Sequence, residues 1–131
     1  RRRPDHPQPR RSRIKAVDLA KTLSALTLER KAREPNLLKV SQLTSYTDFV
    51  LIVSATSDRH ARAVADHLCE EMRKRQLRPL GLEGYQSGQW ILVDFGEVVV
   101  HVMQAGSRQY YDLDSLWSDA EPVAVDSGET S

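Results

Sequence analysis

Gln89–Gln104, QWILVDFGEVVVHVMQ, reads as two strands folded back on one another. Gln89–Phe95 and Glu97–Gln104 are rich in β-branched and aromatic residues, and Phe95-Gly96 between them is a tight-hairpin signal. Side chains alternate along a strand. A two-residue loop at Phe95-Gly96 therefore sets Trp90 opposite His101, Leu92 opposite Val99 and Asp94 opposite Glu97, all on one face. The other face carries Ile91, Val93, Val98, Val100 and Val102. It is wholly aliphatic and is the core side. The first face mixes an indole, an imidazole, aliphatic chains and two carboxylates. An aromatic anchor beside carboxylates suits a grip on a basic protein surface. The alternative is that a helix covers Trp90 and His101, leaving Asp94 and Glu97 as a solvated hairpin end. The residues alone leave both readings open, and a one-residue slip of register would exchange the faces.

Upstream of the hairpin, Phe49, Val50, Leu51, Ile52 and Val53 run without a break, which predicts a central strand covered on both faces over Asp48–Ser54. A helix is expected over Asp58–Gln76. Thr56 or Ser57 caps it, Asp58 sits in its first turn, Arg73, Lys74 and Arg75 in its last, and Ala61, Ala65, Leu68 and Met72 form its buried stripe. Another helix is expected over Arg13–Glu34, from Ala16, Leu19, Ala20, Leu23 and Leu26 at helical spacing, ended by Pro35. Short strands are expected at Asn36–Val40 and Pro79–Glu83, a loop over Ser41–Tyr46, a turn over Gly84–Gly88, and short helical turns up to Leu116-Trp117. The order α-β-β-α-β-β-β-α predicts an α/β (α+β) class: one mixed sheet of about five strands flanked by helices.

The 131 residues suit one domain, with 40% hydrophobic and 28% charged residues as in ordinary globular chains. The net charge of +1 is unevenly distributed. Arg1–Arg13 holds six arginines and one aspartate, and is expected to be a disordered arm or, alternatively, a remnant of an organellar transit sequence. Residues 14–117 form the domain, and Ser118–Ser131, with Asp119, Glu121, Asp126 and Glu129, is expected to be a disordered acidic tail. Between Pro79 and Trp117 five acids face Arg108 alone, a negative field that attracts basic protein surfaces. The start at Arg1, without an initiator Met, is expected of a fragment or a processed product. No apolar run approaches the roughly 20 residues of a membrane-spanning helix, so no membrane partner is expected. A single cysteine, Cys69, excludes an intrachain disulfide and suits a reducing, cytoplasmic compartment.

No active site assembles from these residues. Cys69 flanks an apolar helical stripe, where an inert buried thiol is the common case. His60 and His67 are seven apart on one helix, wider than the usual zinc spacing, and read as surface or capping histidines. Asp112-Leu113-Asp114 follows the last strand, where helix capping explains it better than metal binding. Neither a metal nor a cofactor is expected. The arm's arginines suit minor, non-specific RNA contact, without interleaved aromatics to stack bases.

Three ordered motifs carry a resemblance: TSYTDFVLIVSATSDRHARAVADHL (44–68), RPLGLEGYQSGQWILVDFGEVVVHVMQ (78–104) and RQYYDLDSLW (108–117). Together they closely resemble the ribosomal silencing factor, or iojap-like, family, from about Val17 to Trp117. The resemblance implies a nucleotidyltransferase-like fold without its catalytic motif, and so no enzyme. It implies binding to the large ribosomal subunit through universal large-subunit ribosomal protein fourteen, blockage of small-subunit joining, lowered translation, and homodimers. It carries the partner-facing segment onto Glu83–Met103 and Tyr111…Leu116-Trp117. The implied docking set is Glu83, Tyr85, Trp90, Leu92, Asp94, Glu97, Val99, His101, Met103, Tyr111, Leu116 and Trp117. Departures from the family pattern fall at Tyr85-Gln86 and Ser107–Gln109. The competing readings are a nucleotidyl- or phosphotransfer enzyme and an RNA-binding regulator working through the arm.

Overall fold

A computed structural model describes residues 15–125. The arginine-rich arm and the last six residues of the expected acidic tail lie outside the described residues. The chain runs α1 (Ala16–Glu29), β1 (Arg33–Lys39), β2 (Phe49–Ala55), α2 (Asp58–Lys74), β3 (Gly81–Glu83), β4 (Trp90–Asp94), β5 (Val98–Gln104), α3 (Ala105–Tyr111), α4 (Leu113–Leu116) and β6 (Glu121–Val123). The strands form one mixed sheet in the order β3-β4-β5-β2-β1-β6.

β2 is the axis of the sheet. All seven of its residues are buried, as an unbroken apolar run requires of a strand covered on both sides. It pairs parallel with β5, from Phe49 beside Val98 to Ala55 beside Gln104, and antiparallel with β1. Phe49, Leu51, Val53 and Ala55 enter the larger core under α1 and α2 with Ile91, Val93, Val98, Val100 and Val102. Val50 and Ile52 enter a smaller core on the opposite face with Leu38, Val40, Met103 and Leu113.

Helix boundaries differ from expectation at α1. It stops at Glu29, six residues before Pro35, because Lys31 turns left-handed at φ +66° and the amide of Ala32 returns to the Thr27 carbonyl at 3.1 Å. Residues 33–35, expected to be helical or helix-ending, instead open β1. Pro35 lies in the irregular stretch between Arg33 and Asn36, where a missing N–H costs the ladder least. α2 begins as expected at Asp58. Of the two candidate caps it is Ser57 whose Oγ accepts the His60 N–H at 3.0 Å.

The sheet has six strands rather than about five. The extra strand, β6, comes from the stretch assigned to the acidic tail. It pairs with β1, Val123 beside Leu37 and Glu121 beside Lys39, and Val123 and Val125 pack on the larger core. Val123 and Val125 on one core, Ala120 on the other and the backbone pairing with β1 together hold an otherwise acidic segment along a sheet edge.

The turn between β3 and β4 is as tight as its glycines suggest. Gly84 has φ +79°, and a Cβ there would sit 2.0 Å from the Trp90 carbonyl oxygen. Gly84→Ala should therefore lower unfolding free energy by about 2 to 4 kcal/mol, from left-handed strain plus displacement of β4. Gly106→Ala, at a helical position where an added Cβ meets nothing, should be neutral or slightly stabilising. Urea unfolding of both variants checks this; equal midpoints would remove the close approach as a constraint.

Candidate functional site

The sheet face turned away from α1 and α2 carries the mixed set of the hairpin. The hairpin register is Asp94 beside Val99, Leu92 beside His101 and Trp90 beside Met103, two residues removed from the expected pairing. The Phe95 N–H donates to the Val98 carbonyl at 2.9 Å, so the two central turn residues are Gly96 and Glu97, not Phe95 and Gly96. Gly96, at φ +90°, takes the first central position, where a type II′ turn demands glycine. A slip of two changes partners but not faces. Trp90, Leu92, Asp94, Val99 and His101 still share one side. The expected opposition of Asp94 and Glu97 is gone. Glu97 lies in the exposed turn, its carbonyl accepting the Asp48 and Phe49 N–H groups, and Asp94 caps the same turn by accepting the Gly96 N–H at 2.8 Å.

α3 and α4 cover part of this face. Leu113 plugs the smaller core, with Trp117 and Ala120 packed beside it. An arginine clamp holds them there. Arg108 donates twice to Asp114, Nε to Oδ1 at 3.0 Å and Nη2 to Oδ2 at 2.9 Å, and its Nη1 donates to the Glu34 carbonyl and the Ser54 hydroxyl. Asn36 adds a further bond to Asp114 at 2.9 Å. Arg108, followed by Asn36, holds the Asp114 carboxyl below the usual aspartate range. The capping role expected for this segment is absent: no side chain caps α4, and Asp112 is instead a left-handed hinge at φ +50°.

Tyr111, at the end of α3, lies against Trp90 with ring centroids 5.0 Å apart, and Tyr110 meets Tyr111 edge-on at 4.8 Å. Trp90 is half-buried. Its indole N–H donates to His101 Nδ1 at 3.0 Å. That bond requires a neutral ring with its proton on Nε2. Burial drives the His101 pKa down to about 4, in keeping with it.

The twelve residues expected to dock a partner therefore divide. Leu92 and Asp94 on β4, Glu83 on β3, and the flanking Trp90 and Tyr111 form a continuous open strip. Val99, His101 and Met103, their neighbours on β5, are buried and flank this strip, offering no surface themselves. Tyr85 points the other way: it packs on the larger core and its hydroxyl donates to Asp66 of α2 at 3.0 Å. Partial burial against the larger core accounts for an aromatic side chain at this position. Leu116 is exposed at the end of α4, while Trp117 is half-buried against the smaller core. Tyr46, from the β1–β2 loop, was not among the expected residues. It is 56% exposed, and its hydroxyl pKa is raised by partial burial and then by the neighbouring charge of Asp94. Only the parallel pairing of β2 with β5 brings that loop to the hairpin tip, and no local pattern signals it.

The residues weighed for catalysis have structural partners. His60 receives the Thr56 N–H on Nδ1 and contacts the Arg30 carbonyl through Nε2 at 2.7 Å. His67 is buried rather than on the surface, and reaches Glu29 at 2.8 Å to bind α2 to α1. Burial and Asp66 raise the Cys69 thiol pKa, which disfavours the thiolate. Among the described residues no three His, Cys, Asp or Glu side chains gather as a metal site.

The family model for ribosomal silencing factor during starvation matches residues 13–131. The ribosomal silencing factor of Halalkalibacterium halodurans is 34% identical over 75% of this chain and 84% of its own length. That of Bacillus subtilis is 30% identical over 84% and 93%. The chloroplastic Iojap protein of Zea mays is 31% identical over 84% of this chain and 46% of its own. A crystal structure of a Chromobacterium violaceum protein superposes with a TM-score of 0.78 at 31% identity, covering 88% of this chain and 98% of that one.

The buried imidazole predicts how stability depends on pH. Between the ordinary histidine pKa of about 6.5 and the folded value of about 4, the unfolded chain binds a proton that the folded chain does not. This part of the stability is complete above about pH 6.5 and is lost as pH falls toward 4, on the order of 3 kcal/mol in all. His101→Asn, which keeps an acceptor for Trp90 but does not titrate, should flatten the fall in thermal melts between pH 7 and 4.5. Parallel curves for the two proteins would show that His101 is not the sensor.

Proposed function

Because the chain belongs to the ribosomal silencing factor family, we propose that it represses translation by binding the large ribosomal subunit and obstructing its union with the small one. The strip Glu83, Leu92, Asp94, with Trp90, Tyr111 and Tyr46 around it, is the docking face, and universal large-subunit ribosomal protein fourteen is the partner. One observation carries the assignment of the face. α3 and α4 close the sheet over β1, β2 and β5 but stop at Trp90, leaving Leu92, half-buried and flanked by two carboxylates, partly open to solvent.

The physical requirements are modest. Holding a partner at micromolar to nanomolar Kd takes roughly −8 to −12 kcal/mol, within reach of an interface of about 800 Å² per side. Leu92 and the Trp90–Tyr111 pair supply desolvated apolar contact. Glu83 and Asp94 steer the approach of a basic surface and set its register. Obstruction then needs no chemistry, since a folded domain bound at the joining surface excludes the small subunit by its volume.

Trp90 is a poor choice for the decisive variant, because truncating it also strands the His101 acceptor and removes the support of Tyr111. Leu92→Asp, at a half-buried position on the open strip, adds a third carboxylate without touching either core. It should weaken co-sedimentation with purified large subunits by about 30-fold or more, the range of a lost hot spot, and abolish its effect on subunit joining in sucrose gradients. Glu83→Lys should weaken binding less and reduce its salt dependence. Subunits that join normally under saturating wild-type protein would overturn the reading, and so would a folded Leu92→Asp variant that binds as the wild type does.

A further inference from the structure

We propose that the corner between α1 and β1 is a second binding surface, which takes the phosphate backbone of RNA. It lies in the helix layer, behind the sheet from the docking strip, and does not rest on the assignment of that strip.

Arg30, Lys31 and Arg33 stand within four residues of one another, and all three are exposed. They line one open depression with Glu29, Thr56 and His60. The backbone explains why the charges gather outside. Lys31 turns left-handed, which ends α1 and folds the chain sharply into β1. The corner's carbonyls are occupied by donors of the domain itself, Arg30's by the His60 ring and Glu34's by the Arg108 guanidinium. The carboxylate in the depression, Glu29, is held 2.8 Å from His67. None of the three cations forms an ion pair among the described residues. Water and salt screen their mutual repulsion, but three like charges so close still favour an incoming anion.

The surrounding field has the same sign. Residues 15–34 and 58–78, which contain both long helices and the corner itself, carry eleven basic and seven acidic side chains. Residues 79–121, which contain the docking strip, carry seven acidic side chains and Arg108 alone. A polyanion is therefore drawn to the helix layer and repelled from the strip. The depression is open, with no Phe, Tyr or Trp in its lining to stack a base. Its chemistry suits successive phosphodiester groups read without regard to sequence, rather than a nucleobase or an enclosed nucleotide.

The test uses the full chain and the triple variant Arg30→Gln/Lys31→Gln/Arg33→Gln, with a short fluorescein-labelled RNA duplex as probe. Anisotropy is followed from about 50 to about 200 mM KCl. The arm is the same in both proteins, so their difference reports the corner. The triple variant should bind about ten-fold more weakly at the lower salt, and the slope of log affinity against log salt should shrink by about 2 to 3. Arg30→Lys/Arg33→Lys should keep both affinity and slope, which separates lost charge from lost fold. Leu92→Asp should bind RNA like the wild type, so failure of the docking face would leave this result intact. Unchanged affinity and slope in the triple variant would overturn the proposal. So would an equal loss in Lys15→Gln/Lys21→Gln, elsewhere on the same layer, or full displacement of the duplex by millimolar inorganic phosphate.

Discussion

The parallel pairing of β2 with β5 is the constraint on which the rest of the molecule depends. β2 is apolar on both faces, so hydrophobicity alone does not set its register: sliding it by one residue exchanges aliphatic side chains for others of similar size. Its polar end sets it instead. Ser54 lies on the side of the smaller core, where its hydroxyl accepts from Arg108 at 2.8 Å. A one-residue slip would turn that hydroxyl into the larger core without a partner, a cost of about 1 to 3 kcal/mol, and would strip Arg108 of an acceptor as well. Once β2 is fixed, β5 follows. The Glu97 carbonyl, taking both the Asp48 and the Phe49 N–H, ties the hairpin tip to the start of β2 and brings Tyr46 beside Asp94.

The arginine clamp works at the other end of the same strand. An exposed ion pair contributes little, commonly under about 1 kcal/mol. Arg108 differs in geometry. It is bidentate to Asp114 and mostly shielded, with 13% of its side chain exposed, and it bonds two further acceptors on β1 and β2. Such a network specifies position as much as it adds stability. α3 and α4 are short, at seven and four residues, and neither would hold its place through helical propensity. Their docking, and with it the contact of Tyr111 on Trp90, comes from Leu113 in the smaller core and from the clamp.

Much of this was legible in the sequence wherever the evidence was periodic. The unbroken run through Val50–Val53 announced the central strand, and Ser57 through Lys74 announced α2 with its cap and charges in place. The division of the hairpin into an aliphatic and a mixed face survived although the register was misread by two, because an even slip preserves the alternation. What was not legible depended on the third dimension. Pro35 looks like a helix stop but is an irregularity in a strand. Asp119 and Glu121 look like tail, yet Ala120 packs on the smaller core and Val123 on the larger one, and the segment between them pairs along a sheet edge. Arg108 looked like a lone base in an acidic stretch, and nothing nearby in sequence foretells that it reaches Glu34 and Ser54. Tyr85 turns to the larger core and Tyr46 stands exposed for the same reason: an aromatic in a turn faces whichever side the turn folds toward.

The open strip also has a reason to stay open. Extending α3 or α4 over Leu92 would bury Asp94, and a carboxylate removed from water without a cation beside it is strongly disfavoured. Between Pro79 and Glu121 the sequence provides one basic side chain, Arg108, and Asp114 already holds it. Among the described residues of this stretch, then, no second cation is at hand to let the domain seal its own face. A partner that brings an apolar contact for Leu92 and a basic group for Asp94 supplies both missing parts at once. A partner with only one of them leaves either the carboxylate unpaired or the leucine wet. Selectivity of this kind would follow from what the fold cannot cover by itself, and it would need no moving part.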